Sequence, residues 1–208
     1  MENIQYGCGR RAPKEWLNFN SSPTLRLQRI PLIGRFFKGE RFPNFPKTIQ
    51  YGNIVRGLPV GNECADRIYC SHVLEHLALE DFRKALKNTH QMLKPGGVFR
   101  FVLPDLDQYI SEYSKSVDAR RACKFMIDTR LGMKRRPRGF GAIMRSWLGG
   151  SEHLWMWDYR GMEKELMDAG FTDIRRAAYG DSGVEVFDVA EDSSRWGHNL
   201  GIQCLKPK

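Results

Sequence analysis

Residues 64–105, CADRIYCSHVLEHLALEDFRKALKNTHQMLKPGGVFRFVLPD, decide the fold. A short apolar run at 67–70 leads into a polar turn, an amphipathic helix and a second apolar run at 98–103. Within the helical part Phe82, Ala85, Leu86, Thr89, Met92 and Leu93 recur at spacings of three and four, which puts them on one face. Pro95 stops the helix, and Gly96 with Gly97 is expected to form its left-handed cap. A strand, a crossover helix and a second strand make a parallel pair. Such units connect right-handedly in doubly wound sheets, whose ligands bind beyond the carboxyl ends of the strands. Residues 71–76 and 104–107 lie at those two ends, so they are expected to line any site.

Outward from this unit, residues 3–6 read as a first strand followed by Gly7-Cys8-Gly9. Glycines directly after a strand let the backbone turn tightly and approach a ligand. The full G-x-G-x-x-G phosphate fingerprint is absent, because Ala12 stands where its last glycine would be. Residues 16–20 and 48–51 read as the next two strands. The proline-rich stretch 21–47 reads as an irregular helical crossover opened by Pro23. Helices are expected after Asp105 and over 162–169, the latter capped by Gly170, and strands over 172–179 and 199–205. Only loop separates those last two strands, so they should be antiparallel. The expected fold is α/β: residues 1–208 as a single doubly wound, Rossmann-like mixed sheet of about seven strands with the last one antiparallel.

The net charge is +9. Between 115 and 147 there are ten Lys or Arg against Asp118 and Asp128, so nearly all of the excess lies in that stretch. Residues 130–150, rich in Gly and Arg and without periodicity, read as a basic loop or insert. Such a local field attracts anions. Five cysteines without C-x-x-C spacing fit reduced thiols and a cytoplasmic location. No apolar run approaches a membrane span, and strand-like sequence begins almost at once after Met1, so neither a transmembrane nor a targeting segment is expected.

His72-Val-Leu-Glu75-His76 matches H-x-x-E-H, an inverted zinc-hydrolase signature. That chemistry needs both histidines on one helix, whereas here the motif follows a strand directly and the helix starts near Leu79. The sequence reading therefore assigns no metal site.

SHVLEHL and HQMLKPGGVFRFVLPDLD resemble the segments after the fourth strand and along the fifth strand of class I S-adenosylmethionine-dependent methyltransferases. YGCG…EWLNFN is similar to that family's first-strand glycine loop and second strand, YGNIVRGLPV to its third-strand segment, and GSEHLWMWDYRGMEKELMDAGFTDIRR to the tail of its short bacterial members. The resemblance spans nearly the whole chain and implies S-adenosyl-L-methionine as cofactor. It places Gly7, Cys8, Gly9, Asn20, Asn53, Ile54, Ser71 and His72 at the cofactor. In the family, acids at the positions of Asn20 and Asn53 accept the ribose hydroxyls and the adenine amino group. Hydrogen bonds to a charged acceptor contribute about 1.5–3 kcal/mol, and those to a neutral one about 0.5–1.5. The two asparagines should therefore weaken binding by about 1–3 kcal/mol, roughly 5- to 150-fold.

Methyl transfer is an in-line displacement in which alignment supplies most of the rate, and a hydroxyl or amine acceptor gains from a general base. By position the candidate catalytic groups are His76, Glu75, Asp105 and His72. Arg135, Arg136, Arg138, His153 and Tyr159 are candidates for the substrate side, since Arg forks suit phosphate and carboxylate oxygens. The expected activity is methyl transfer to an anionic small molecule or glycan. The alternatives are a non-catalytic methyltransferase-like partner domain, supported by the two asparagines, and an RNA methyltransferase, which the basic stretch permits without favouring.

Overall fold

A computed structural model describes residues 2–31, 34–37, 44–133 and 152–208. The described residues contain β1 (Asn3–Tyr6), β2 (Leu17–Asn20), β3 (Gln50–Tyr51), β4 (Ala65–Ser71), β5 (Leu93–Pro104), β6 (Thr172–Ala177) and β7 (Asn199–Leu205). They form one seven-stranded sheet in the order β3-β2-β1-β4-β5-β7-β6. β1 to β5 pair in parallel, and β7 runs antiparallel to both of its neighbours. The α/β mixed sheet and the reversed last strand are as the sequence implied. The helices are α1 (Pro23–Gln28), α2 (Leu79–Met92), α3 (Leu106–Lys115), α4 (Arg121–Asp128) and α5 (Tyr159–Asp168). The short α4 was not anticipated.

Alternation along β5 sorts its side chains to two faces. Phe99, Phe101 and Leu103 join Ile4, Tyr6, Ile68 and the apolar sides of α2 and α5 in the larger core. Val102 joins Trp16, Tyr69, Phe187 and Trp196 on the other face. Residues 178–198, with short turns at Glu185–Phe187 and Ser193–Arg195, supply Phe187, Ala190 and Trp196 to that second face. The connection read as plain loop is thus a structural layer.

One local expectation fails. Gly96 and Gly97 do not cap α2: the helix ends at Met92, and Leu93 is already extended (φ −70°, ψ 139°) and fully buried. Burying Leu93 opposite Ala65 takes the chain straight into β5, where the register then jumps to Arg67 opposite Val98. Gly96, at φ +77°, serves that irregularity, with its N–H donated to the Lys206 carbonyl. Strand order reverses between β1 and β4, so the topological switch point falls at their carboxyl ends.

Candidate active site

Beyond β1 the chain turns through Gly7 (φ +67°) and Gly9 (φ +58°), a region that L side chains rarely adopt. A Cβ on Gly7 would lie 2.0 Å from Val73 Cγ2, so glycine is needed here for the loop to approach the turn after β4. Cys8 is buried between the two glycines, and burial pushes its thiol up to about 12. Beside this loop is a cavity of about 220 Å³ lined by Gly7, Cys8, Ser71, Arg10, Asp192 and Arg195, among others. Gln5 also reaches it with a buried Oε1 that has no hydrogen-bond partner. Arg195 Nη1 donates to the Ser71 carbonyl at 3.3 Å, so the 178–198 layer forms one wall.

A second cavity of about 350 Å³ lies beyond β4 and β5. His72, Glu75, His76, His153, Tyr109 and Arg130 line it, and Arg195 belongs to both cavities. His72 has φ +54° and precedes a single turn at Leu74–His76, so the H-x-x-E-H motif is not helical and the hydrolase arrangement does not form. The segment 152–158 folds back onto this turn: the N–H groups of Leu154 and Trp155 donate to the Glu75 carbonyl at 2.7 and 3.2 Å. That docking brings His153 to His76, with ring centroids 5.1 Å apart. Further along the same segment, Leu106 N–H donates to the Trp157 carbonyl, and Trp157 packs on Phe82 at 4.6 Å.

The Glu75 side chain is fully buried, with Oε1 3.0 Å from His72 Nδ1. The other His72 nitrogen, Nε2, lies 3.2 Å from the Arg195 carbonyl. A carbonyl can only accept, so the ring donates at Nε2, and the contact between Nδ1 and Glu75 Oε1 needs a proton on one of those two atoms. His76 Nδ1 likewise donates to the Glu152 carbonyl at 2.9 Å, which leaves a lone pair on Nε2 when the ring is neutral. Burial lowers the His153 pKa from its ordinary value, with Glu75 opposing the shift and His76 adding to it.

The remaining candidates lie elsewhere. Asp105 caps α3 through the Asp107 N–H and pairs with Arg176 at 3.2 Å. Tyr159 lies under the Arg176 guanidinium and donates to Glu163, so these residues form a separate cluster by β6. Asn20 Oδ1 accepts the Ser22 N–H at 2.7 Å, and Asn53 Oδ1 accepts the Val55 N–H at 2.9 Å. Ile54 is buried in the larger core, and its carbonyl accepts from Asn88. Arg135, Arg136 and Arg138 lie outside the described residues. The sequence reading missed Arg195, whose surroundings (DSSRWG) carry no periodicity or motif; only the fold brings it to Ser71 and His72.

A Rossmann-like sheet with a reversed seventh strand and ligand-sized cavities at its switch point defines the class I methyltransferase architecture. Residues 13–175 match the family model described as a methyltransferase domain, and the chain belongs to that family. Its cofactor is S-adenosylmethionine. The fold is similar to a SAM-dependent methyltransferase from Thermotoga maritima described as a possible histamine N-methyltransferase (TM-score 0.54, 14% identity, 99% of this chain and 82% of that one). It is similar to an S-adenosylmethionine-dependent methyltransferase from Mesorhizobium loti (TM-score 0.50, 16% identity, 98% and 90%). It is also similar to PigF with SAH, the demethylated cofactor (TM-score 0.52, 15% identity, 99% and 50%). No curated protein matches the chain. Among the described residues no helix is long and apolar enough to cross a membrane.

Proposed function

We propose that this chain transfers a methyl group from S-adenosylmethionine to an oxygen or nitrogen of an anionic small molecule or glycan. The observation that carries this reading is the pair of adjoining cavities at the switch point, with Arg195 common to both. The cavity at Gly7 suits the amino-acid end of the donor: Arg10 and Arg195 would meet its carboxylate, and Asp192 or Gln5 Oε1 its ammonium. At the adenosine end, Asn20 and Asn53 already give their carbonyls to local backbone N–H groups. Each carbonyl keeps a second lone pair and each amide two N–H groups, so both side chains could still meet the ribose and adenine, as neutral rather than charged partners. The lining of the Gly7 cavity thus suits the amino-acid end of the donor, and contacts to the two asparagines would be weaker than contacts to acids. Bound cofactor would supply an electrophilic methyl carbon. His76, with Nδ1–H fixed on the Glu152 carbonyl, would present Nε2 as the base for the acceptor proton. Glu75 and His72 would position it. Arg130, and beyond the described residues Arg135, Arg136 and Arg138, supply the field for an anionic acceptor. Five unpaired cysteines favour a reducing, cytoplasmic setting.

Titration with S-adenosylhomocysteine tests the donor assignment. Arg195→Ala is expected to weaken binding at least tenfold, whereas Arg83→Ala, between α2 and α5, should leave it unchanged. Equal affinity of Arg195→Ala and the unaltered chain would remove the donor from this cavity. A second reading, a methyltransferase-like domain without catalysis, is favoured only by the neutral Asn20 and Asn53, each of which already accepts one local backbone N–H.

A further inference from the structure

We infer that Glu75, His76 and His153 form a binding site for one divalent transition-metal ion, of the zinc and cobalt class, in the wall of the second cavity. One ligand atom from each of the three lies within 4.8 Å of the other two. Two atoms are conspicuously unsatisfied. Glu75 Oε2 is buried with no hydrogen-bond partner on a fully buried side chain, and His153 Nδ1 is buried with none. An orphaned carboxylate oxygen in the interior is costly unless a cation meets it. The third ligand is prepared in the way that metal-bound histidines are: His76 Nδ1–H is tied to the Glu152 carbonyl, which aims the Nε2 lone pair inward, 3.9 Å from Glu75 Oε1. His72 Nδ1 lies 3.0 Å from the Oε1 of the same carboxylate.

Two imidazoles and one carboxylate suit zinc, cobalt or nickel better than calcium or magnesium, which favour all-oxygen shells. Ligand atoms around such an ion stand about 2.0–2.2 Å from it, so the three side chains would draw in by about an ångström on binding. The set differs from the hydrolase reading of the motif, because the third ligand comes from the 152–158 segment and His72 is not a ligand. Three protein ligands would leave a coordination position for a ligand from the cavity, which Tyr109 and Arg130 also line. If the chain is a methyltransferase, that position would take the acceptor's oxygen or nitrogen, and His76 would act as a ligand instead of a base. The ion site itself does not depend on that reading.

The test uses the ion alone. The chelator-treated chain is titrated with Co²⁺ and with Zn²⁺, following the cobalt d–d absorption, the heat of binding and the thermal midpoint. One equivalent is expected to bind, with a cobalt spectrum of four- or five-coordination and a rise in the midpoint. His153→Ala and His76→Ala should each weaken binding at least tenfold, whereas His198→Ala, an exposed histidine outside the set, should not. Circular dichroism checks that each variant is folded. No stoichiometric binding to the unaltered folded chain would overturn the proposal. So would binding that survives both His153→Ala and His76→Ala. S-adenosylhomocysteine affinity is measured on the same samples. It reports on the donor cavity alone, so failure of the ion site and failure of the methyltransferase reading remain distinguishable.

Discussion

Arg100 is fully buried in the middle of β5, on the same face as Val98 and Val102. Its guanidinium bonds Glu191, Asp181 at 2.8 Å, the Gln203 side chain and the Ala178 carbonyl, and lies over the Trp196 ring at 4.6 Å. Desolvating such a group is tolerated because four of its five N–H donors are met, two of them by carboxylates. Arg100→Ala would leave Glu191 as a buried, unpaired charge, at a cost of about 3–5 kcal/mol in urea unfolding. The double variant Arg100→Met/Glu191→Leu should recover most of that loss, and a double variant as unstable as the single one would contradict this account. Asp181 gives the network a pH signature. Burial pushes its pKa up, but hydrogen bonds from Arg175, the Ala178 backbone and Arg100 more than offset this, and the net shift is downward. A carboxylate depressed in the folded state adds stability above its unfolded pKa of about 3.9, and that stability is lost as pH falls through the lower folded value. Urea midpoints measured from pH 6 to pH 3 should therefore fall less steeply in Asp181→Asn than in the unaltered chain. Arg100 lies within the run 98–103, which reads simply as an apolar strand. Its burial and its partners at 181 and 191 were not legible, because no local pattern links those acids to β5.

At the scale of elements, the glycine loop and the turn after β4 depend on each other. A side chain at Gly7 would combine an unfavourable positive φ with a Cβ 2.0 Å from Val73 Cγ2. Gly7→Ala is expected to cost about 2–4 kcal/mol from these two sources together. Adding Val73→Ala should return the steric part and leave the conformational part, a difference that thermal unfolding would detect. The strand–helix–strand unit that contains this turn was readable because α2 obeys helical periodicity over its whole length and β4 and β5 are apolar runs. The end of α2 was misread because Pro95-Gly96-Gly97 is chemically a stop signal, yet Leu93 had already been drawn into the sheet by its burial. The 178–198 layer was misread because Val184, Val186, Phe187 and Trp196 are apolar without regular spacing. Irregular layers bury side chains without writing a period into the sequence.

Over the whole molecule, sheet order decides which segments meet. β1, β4 and β5 are adjacent only because the connection after β3 returns the chain to the far side of β1. The glycine loop, the SHVLEH turn and the 152–158 tail therefore converge, although up to about 150 positions separate them. His72, Glu75 and His76 could be placed from sequence because they end a strand, and His153 joined them through the tail motif. Asp105 and Tyr159 could not be separated from that group without the Arg176 contacts that hold them by β6. The central claim is that this architecture still holds S-adenosylmethionine although Asn20 and Asn53 stand where the family has acids. Calorimetric titration of the unaltered chain with S-adenosylhomocysteine, beside Asn20→Asp/Asn53→Asp, tests it most directly. One site of micromolar affinity is expected in the unaltered chain, tightened by roughly 5- to 150-fold in the double variant. No binding by the unaltered chain, with binding appearing only in the aspartate variant, would contradict it and leave a fold that has given up its cofactor.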